Sequence, residues 1–582
     1  RVEYRETKAL LTLDAGIAQS RAKPQEDEKK LRGTPDEALS SAAVQVDATY
    51  HTPVEVHNAM ELHSTLAEWQ ADKLTLEDST QWVVGQAKTI ATMLGIPPEN
   101  VTVKSAYIGS GFGSKLFLWP HAVVAAVAAR QLKCPVKFVL PRAFQFTNAG
   151  HRPVIRQRMR LGASRDGRLQ ALLQETHSHT SLVTDYVESC GESNACLYSV
   201  ANLRNEHQLV PLNVSTPTSM RGPGSCPGLF ALESALDELA HKLDLDPLEL
   251  RLRNLPATDE DKKLPWSANH FEECLRQTAN RFGWSRRRPG VGAMREGSEI
   301  LGWGLAAATW PAMRGPCEAR IELHAEGAKI ECATQDIGTG TYSVIAAVVS
   351  ELTGLPIDKI TVAIGSSTLP PGPISGGSQA TATFVPAIAS VTHKALEPLS
   401  GFKPSGPASL AAALRAAGRD RLVAEVKTAP GEEAEKFSFR CFGAHCAEIR
   451  WDPGISKLRV SRIVSVLDTG RIMNAKTARN QVEGALVMGL GMALMEEAVR
   501  DARTGRVVND NLADYHMLVH ADMPEIDVTF LDRPDPHIGP FGAKGLGEIG
   551  ITGIAAAIAN AVHHATGKRI RDLPISIEKL LT

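Results

Sequence analysis

Two stretches, one in each half of the chain, repeat the same order of apolar and polar positions. STQWVVGQAKTIATMLGIPPENVTV (79–103) and ATQDIGTGTYSVIAAVVSELTGLPIDKITV (333–362) each read as strand, glutamine, glycine-containing turn, amphipathic helix, proline-containing turn and strand. The second copy has five extra residues after its glutamine. One such pair indicates an internal duplication, whereas a solenoid needs about three units. Elsewhere, alternation from Val44 onward (VQVDATYHTPVEVH) predicts a strand, and residues 22–41, polar and punctuated by proline and glycine, predict a linker. Buried or amphipathic helices are predicted for 118–132, 229–243 and within 470–497. A strand is predicted at 136–140, and 404–419 reads as a low-complexity surface excursion. The last predicted helix, ITGIAAAIANAVHHATG (551–567), directly follows GPFGAKGLGEIG (539–550) and places Glu548 near a helix N-terminus among unscreened backbone N–H groups.

Length adds that 582 residues exceed one core. The linker and the basic, glycine-rich segment near 286 divide the chain into 1–43, 44–285 and 286–582. With 43% hydrophobic and 22% charged residues and a formal net charge of −2, the composition is that of an ordinary globular protein. It points to neither nucleic acid nor an acidic partner. The longest aliphatic run, 122–129, is under half of the roughly 20 residues needed to cross a bilayer, and the first residues carry no signal-peptide pattern. Nine scattered cysteines without C-x-x-C read as reduced thiols. Cys441, His445 and Cys446 lack the further pair that zinc or an iron–sulfur cluster requires.

Several loops carry candidate chemistry. Gly545, Gly547 and Gly550 match G-x-G-x-x-G, but three prolines precede them and no further βα units follow, so a dinucleotide fold is excluded. GSGFGSK (109–115) fails as a phosphate loop at Ser114 and Leu116. His177 and His179 lack a third ligand in register and read as a surface strand. Arg221, in the Gly/Pro loop 216–228 before a helix, suits an anion or oxo group, or an ion pair with a nearby acid. QDIGTGTY (335–342) and PPGPISGGSQATAT (370–383) offer backbone N–H and hydroxyl groups to a phosphate or polar heterocycle. Together these small-residue loops suggest a large buried cofactor clamped by backbone.

In order along the chain, STQ (79–81), YIGSGFGSK (107–115), SMRGPG (219–224), QDIGTGTY, SGGSQATAT and AKGLGEIG resemble the molybdenum-binding large subunit of the xanthine dehydrogenase/aldehyde oxidase family, most nearly its bacterial periplasmic-type aldehyde oxidoreductases. The resemblance implies an α+β fold of two molybdopterin-binding domains with the cofactor between them. It also implies a preceding hammerhead domain, with RVEYRE as its last strand and apolar surface exposed near residues 1–20. It assigns Glu548 as catalytic base and Gln81 as partner of a molybdenum oxo group. Gly111, Phe112, Arg221, Gln335, Gly338, Gly340, Gly376, Gly377, Ser378, Lys544 and Gly547 fall at cofactor contacts, with no direct side-chain ligand to the metal. Leu116 and Trp310 fall in the substrate pocket. Leu116 stands where xanthine-oxidising members have glutamate, and Gly222 where carbon monoxide dehydrogenases have a copper-binding cysteine, which disfavours both activities. The implied function is oxidation of aldehydes to carboxylic acids with water as oxygen source, on a molybdopterin cytosine dinucleotide with oxo and sulfido ligands. The alternatives are hydroxylation of an N-heterocycle, or a non-catalytic cofactor scaffold. Partner subunits carrying 2Fe–2S and FAD are implied, hence a heterotrimer, in the cytoplasm or, if a partner is exported, the periplasm, with the cytoplasm favoured.

Overall fold

The computed structural model describes residues 3, 5, 7–399 and 401–581. Its halves repeat one topology over eight strands each, to which each half adds short edge strands of its own. In the first, β1 (Val44–Thr52) pairs antiparallel with β6 (Ile155–Ala163), β6 antiparallel with β7 (Leu169–Ser181), and β7 parallel with β8 (Asn202–Leu212). Between β1 and β6 the chain builds a separate four-stranded sheet in the order β4-β3-β2-β5, from β2 (Ser64–Gln70), β3 (Lys73–Asp78), β4 (Val101–Lys104) and β5 (Val136–Val139). Helix α1 (Val83–Leu94) connects β3 to β4 and α2 (Pro120–Leu132) connects β4 to β5, so the β3–β4 pair is parallel. Helix α3 (Ser225–Lys242) follows β8.

The second half matches in these eight strands. β9 (Glu299–Pro311), β14 (Arg440–Asp452), β15 (Lys457–Asp468) and β16 (Glu525–Phe530) repeat the long sheet, and β10 (Cys317–His324), β11 (Gly327–Glu331), β12 (Ile360–Ala363) and β13 (Arg421–Thr428) repeat the small one, with the same parallel and antiparallel pairs. Helices α4 (Thr341–Thr353), α5 (Ala380–Leu396) and α7 (Ile554–Thr566) correspond to α1, α2 and α3, while α6 (Ala475–Leu494) is an insertion between β15 and β16. The repeat read from 79–103 and 333–362 is thus one part of a duplication that runs through both halves.

Helices α3 and α7 share the main core with both long sheets. Residues 225–240 of α3 are buried all round, which fits a helix enclosed by neighbours on every side. Its buried Glu233 is satisfied across the halves, accepting from Tyr198 Oη (2.7 Å), Arg251 Nε (2.7 Å) and the Ala307 N–H of β9 (2.7 Å). The sheet-packed helices hold the loops that precede them in fixed positions, and those loops form the site.

Three expectations are corrected. Residues 22–41 are not a free linker: Lys23–Pro24 and Lys30–Arg32 pair with β8 as short edge strands, and Pro35–Ser41 is a helix. Leu10 and Leu13 are buried against Val210 and Leu212, so they do not form the apolar surface expected there. The strand expected over residues 1–6 lies largely outside the described residues. The excursion at 404–419 contains the helix Pro407–Ala416, whose Leu410 and Leu414 are buried in the second small-sheet core. No described helix is long and apolar enough to cross a membrane.

Candidate functional site

One cavity of about 860 Å³ opens where equivalent loops of the two halves meet. From the first half it is lined by Gln81, the β4–α2 loop (Ile108 to Leu116) and the β8–α3 loop (Ser219 to Pro223). The second half contributes Ile337 to Thr339 with Thr341, Ser375 to Ser378 with Ala380 and Thr381, and the segment 544–548, and Met473, Asn474 and the first turns of α6 as far as Gly484 close one wall. Gln81, Gly111, Phe112, Leu116, Arg221, Trp310, Gly338, Gly376, Gly377, Ser378, Lys544, Gly547 and Glu548 all reach it.

Close crossing of loops explains the glycines. A Cβ on Gly113 would fall 2.0 Å from the Ser219 carbonyl oxygen, and one on Gly545 would fall 1.4 Å from that of Ser378. In each half the loop leading to the second small-sheet helix therefore touches the loop leading to the last helix at van der Waals limits. Phe112 (φ 55°) and Ser378 (φ 54°) hold left-handed backbone at equivalent loops, a conformation that costs a non-glycine residue energy and is retained where surroundings impose it.

Glu548 is buried, and its carboxylate has two partners from different halves. Oε1 accepts from the Gly222 N–H (3.2 Å) and Oε2 from Ser378 Oγ (2.7 Å). Burial raises its carboxyl above the ordinary value, while the Ser378 and Gly222 hydrogen bonds and the Arg221 charge oppose that rise. The expected helix N-terminal placement is corrected: Glu548 precedes a short 3₁₀ turn, Ile549–Ile551, and α7 begins only at Ile554. The carboxylate is held by other loops and not by its own helix.

Arg221 forms no salt bridge with a carboxylate among the described residues. Its Nε donates to the Gly547 carbonyl (2.7 Å) and Nη2 to that of Gln481 (2.7 Å), and its guanidinium carbon lies 5.8 Å from the Phe112 ring centroid. Burial lowers its pKa to about 10, with Glu548 opposing, so it remains charged at neutral pH. Gln81 Oε1 accepts from the Gly113 (3.1 Å) and Lys115 (3.3 Å) N–H groups, and Nε2 donates to Ser375 O (2.7 Å). Trp310 Nε1 donates to Gly377 O (3.1 Å), and its ring forms an apolar wall with Leu116 and Met313.

The remaining expected contacts sit differently. Gln335 does not line the cavity; its Oε1 accepts from Val83 N–H (3.3 Å) at the start of α1. Gly340 caps α4, and Thr477 lies against it. The Lys544 ammonium is taken by the Arg440 carbonyl (2.9 Å) and Asp535 (3.2 Å), which leaves no free cation there. His179 is buried and faces His151, with Nε2 atoms 2.9 Å apart, so its strand is not a surface strand. Sequence reasoning missed Ser378 as a partner of Glu548, Gln481 as an anchor for Arg221, and Arg152 beneath the 219–224 loop. None lies in a local motif that marks the role.

The family description "Molybdopterin cofactor-binding domain" matches residues 19–255 and again 277–524. The aldehyde oxidoreductase molybdenum-binding subunit PaoC of Escherichia coli is 40% identical over 595 residues, spanning 99% of this chain and 81% of that protein. The chain belongs to the molybdopterin-binding subunits of the xanthine dehydrogenase/aldehyde oxidase family. A xanthine dehydrogenase molybdenum-binding subunit of the same species is 28% identical, over 100% of this chain and 83% of its own length. The fold of this family recurs in quinoline 2-oxidoreductase from Pseudomonas putida 86, with TM-score 0.89 at 21% identity, over 100% of this chain and 82% of that one.

The cavity fits the family's cofactor. Its volume lies within the range of cofactor sites. Gly338 leaves open space in front of an added Cβ, and the nearest atom to one on Gly547 is 3.5 Å away, so both present bare backbone to a bound group.

Proposed function

We propose that this chain is the catalytic subunit of a molybdenum-dependent aldehyde oxidoreductase that forms carboxylic acids with water as oxygen source. The observation that carries the reading is Glu548, a buried carboxylate with raised proton affinity held in the cavity by Gly222 and Ser378. When bound, the molybdenum–pterin group supplies the water-derived oxygen and takes up the electron pair. Glu548 takes the proton released as that oxygen adds to the carbonyl carbon, and its raised pKa makes it a stronger base than a solvated carboxylate. Arg221 keeps a positive charge beside the site, fixed by two carbonyls before reaction begins, and Gln81 presents an amide already oriented by three hydrogen bonds. Gly111, Phe112, Gly338, Gly376, Gly377, Ser378 and Gly547 hold the cofactor mainly through backbone.

Asn474, Thr477, Asn480 and Gln481 extend the cavity as a polar wall, which favours a dinucleotide form, taken here as the cytosine form. The electrons pass to 2Fe–2S and FAD groups on partner subunits of a heterotrimer, since the cysteines of this chain are scattered and largely buried. Nine unpaired thiols, including Cys317 and Cys332 at 3.7 Å, favour the cytoplasm over the periplasm. The wall of Leu116, Trp310 and Met313 suits an aromatic aldehyde and offers a purine no carboxylate at position 116. The test uses the assembled complex with its molybdenum and pterin contents measured. Aromatic aldehydes are expected to reduce the enzyme faster than N-heterocycles, and reduction by heterocycles alone would overturn the reading.

A further inference from the structure

Arg152 lies just before β6, wholly buried, and every guanidinium nitrogen is engaged. Nε donates to Glu55 Oε2 (3.0 Å) and Nη1 to Glu188 Oε1 (2.7 Å), while Nη2 donates to the carbonyls of Met220 (3.2 Å) and Arg221 (2.8 Å). A trans peptide is planar, with its C=O and N–H pointing in opposite directions. The peptide whose carbonyl is Met220 O sends the Arg221 N–H to Phe112 O (2.9 Å). The next, whose carbonyl is Arg221 O, sends the Gly222 N–H to Glu548 Oε1 (3.2 Å). One guanidinium thus grips two successive peptide planes from behind, and their front faces deliver one N–H to the β4–α2 loop and one to the buried carboxylate. Glu188 completes the grip by accepting from the Gly224 N–H (2.8 Å) with the oxygen that also receives Arg152.

We propose that Arg152 is a positioning residue for Glu548, acting through the peptide group that joins Arg221 to Gly222. A planar fork with several donors is needed, because a lysine ammonium cannot bind two carboxylates and two carbonyls in these directions at once. Arg221 and Arg152 are the charged groups that act on Glu548. Glu55 and Glu188 lie on the far side of Arg152, and Lys544 of the same loop is neutralised by Asp535. Releasing the peptide removes a donor that favours the ionised carboxylate, so the proton affinity of Glu548 rises.

The inference rests on the proposed role of Glu548 only for its catalytic consequence. The primary test is therefore a titration of the full chain by infrared difference against Glu548→Gln, which isolates the carboxyl of residue 548. Arg152→Lys is expected to move that titration up by about one pH unit, the scale of one hydrogen bond to a charged group. In the assembled enzyme the acidic limb of kcat/KM should move the same way. A role in packing alone would lower Tm and leave the titration in place, and that result overturns the proposal. If Arg152→Lys does not fold, Glu188→Asp, which keeps the charge but shortens the reach to Arg152 and the Gly224 N–H, must shift the titration upward by a smaller amount; an unmoved titration in folded Glu188→Asp also overturns it. A shifted titration with an unmoved kcat/KM limb supports the Arg152 coupling and removes Glu548 as the base.

Discussion

In the first half the loop from β8 into α3 presents a guanidinium, Arg221; in the second the equivalent loop from β16 into α7 presents a carboxylate, Glu548. Everything that carries these loops is shared: the strand pairings of both sheets, the helix that follows, and the close crossing with a neighbouring loop. Only the side of the crossing that bears the glycine differs: it is Gly113 on the β4–α2 loop in one half and Gly545 on the loop before α7 in the other. The small-sheet helices differ as well. Val124 and Val127 of α2 are exposed, whereas α5 is buried over most of its length and shares its core with Leu410 and Leu414 of the helix Pro407–Ala416. Duplication supplied a rigid scaffold with two facing sets of loops, and opposite charges on equivalent loops then placed a carboxylate and a guanidinium in one cavity.

The largest effect should come from erasing the chemical difference at the carboxylate. Glu548→Gln keeps the size and much of the hydrogen bonding but removes the proton acceptor, so aldehyde turnover should fall at least about 10²-fold with molybdenum content unchanged. The parent should lose kcat/KM as pH drops through a value above the ordinary carboxylate pKa, because only the ionised base works and burial raises that pKa. This acidic limb should vanish in the variant. The sign for stability is opposite: a raised folded pKa contributes stability below the unfolded value that is lost as pH rises through the folded one. Glu548→Gln should therefore be no less stable than the parent at neutral pH. Comparable rates in enzymes matched for molybdenum would sink the assignment of the base.

Much of this contrast is legible in the sequence. Glycine-rich loops beside apolar runs mark the cavity, and 79–103 against 333–362 marks the duplication, because strand, turn and helix each leave a local period. The rest of the duplication is hidden, since 105–119 and 364–379 share a position and no residue pattern. The edge strands at 23–24 and 30–32 are too short to alternate. Arg152, Glu55 and Glu188 meet across 36 to 97 residues of sequence, so no window contains their pairing. The burial of His179 against His151 is hidden from the sequence, because strand alternation alone does not tell which face a neighbouring loop covers.

A second, smaller effect tests the loop crossings. Gly545→Ala forces a Cβ against Ser378 O and must move Ser378, a partner of Glu548, whereas Gly113→Ala pushes against Ser219 and also strains a backbone at φ 115°. Each should cost about 1–3 kcal/mol, the range for overpacking a close contact. Beyond that shared loss, Gly545→Ala should also reduce turnover per bound molybdenum, since it displaces a hydrogen-bond donor of the base. Urea denaturation and kcat per molybdenum separate the two effects, and equal catalytic losses in both variants would mean the loops are not divided as described.

The finest distinction is between the two equivalent glutamines. Gln81 binds two N–H groups of its own half and reaches across to Ser375 O, while Gln335 reaches back to the Val83 N–H at the start of α1. They are reciprocal braces, and alanine at either leaves buried backbone groups without a partner, a loss of about 1–3 kcal/mol. Only Gln81 borders the cavity. Gln81→Ala should therefore lower kcat, by less than Glu548→Gln because it deletes one oriented amide and no proton acceptor, and Gln335→Ala should leave kcat per bound molybdenum near the parent value. If Gln335→Ala instead reduced turnover as much as Gln81→Ala at matched stability and metal content, the two braces would be catalytically equivalent. The division of labour between the halves would then have to be drawn elsewhere than at residue 81.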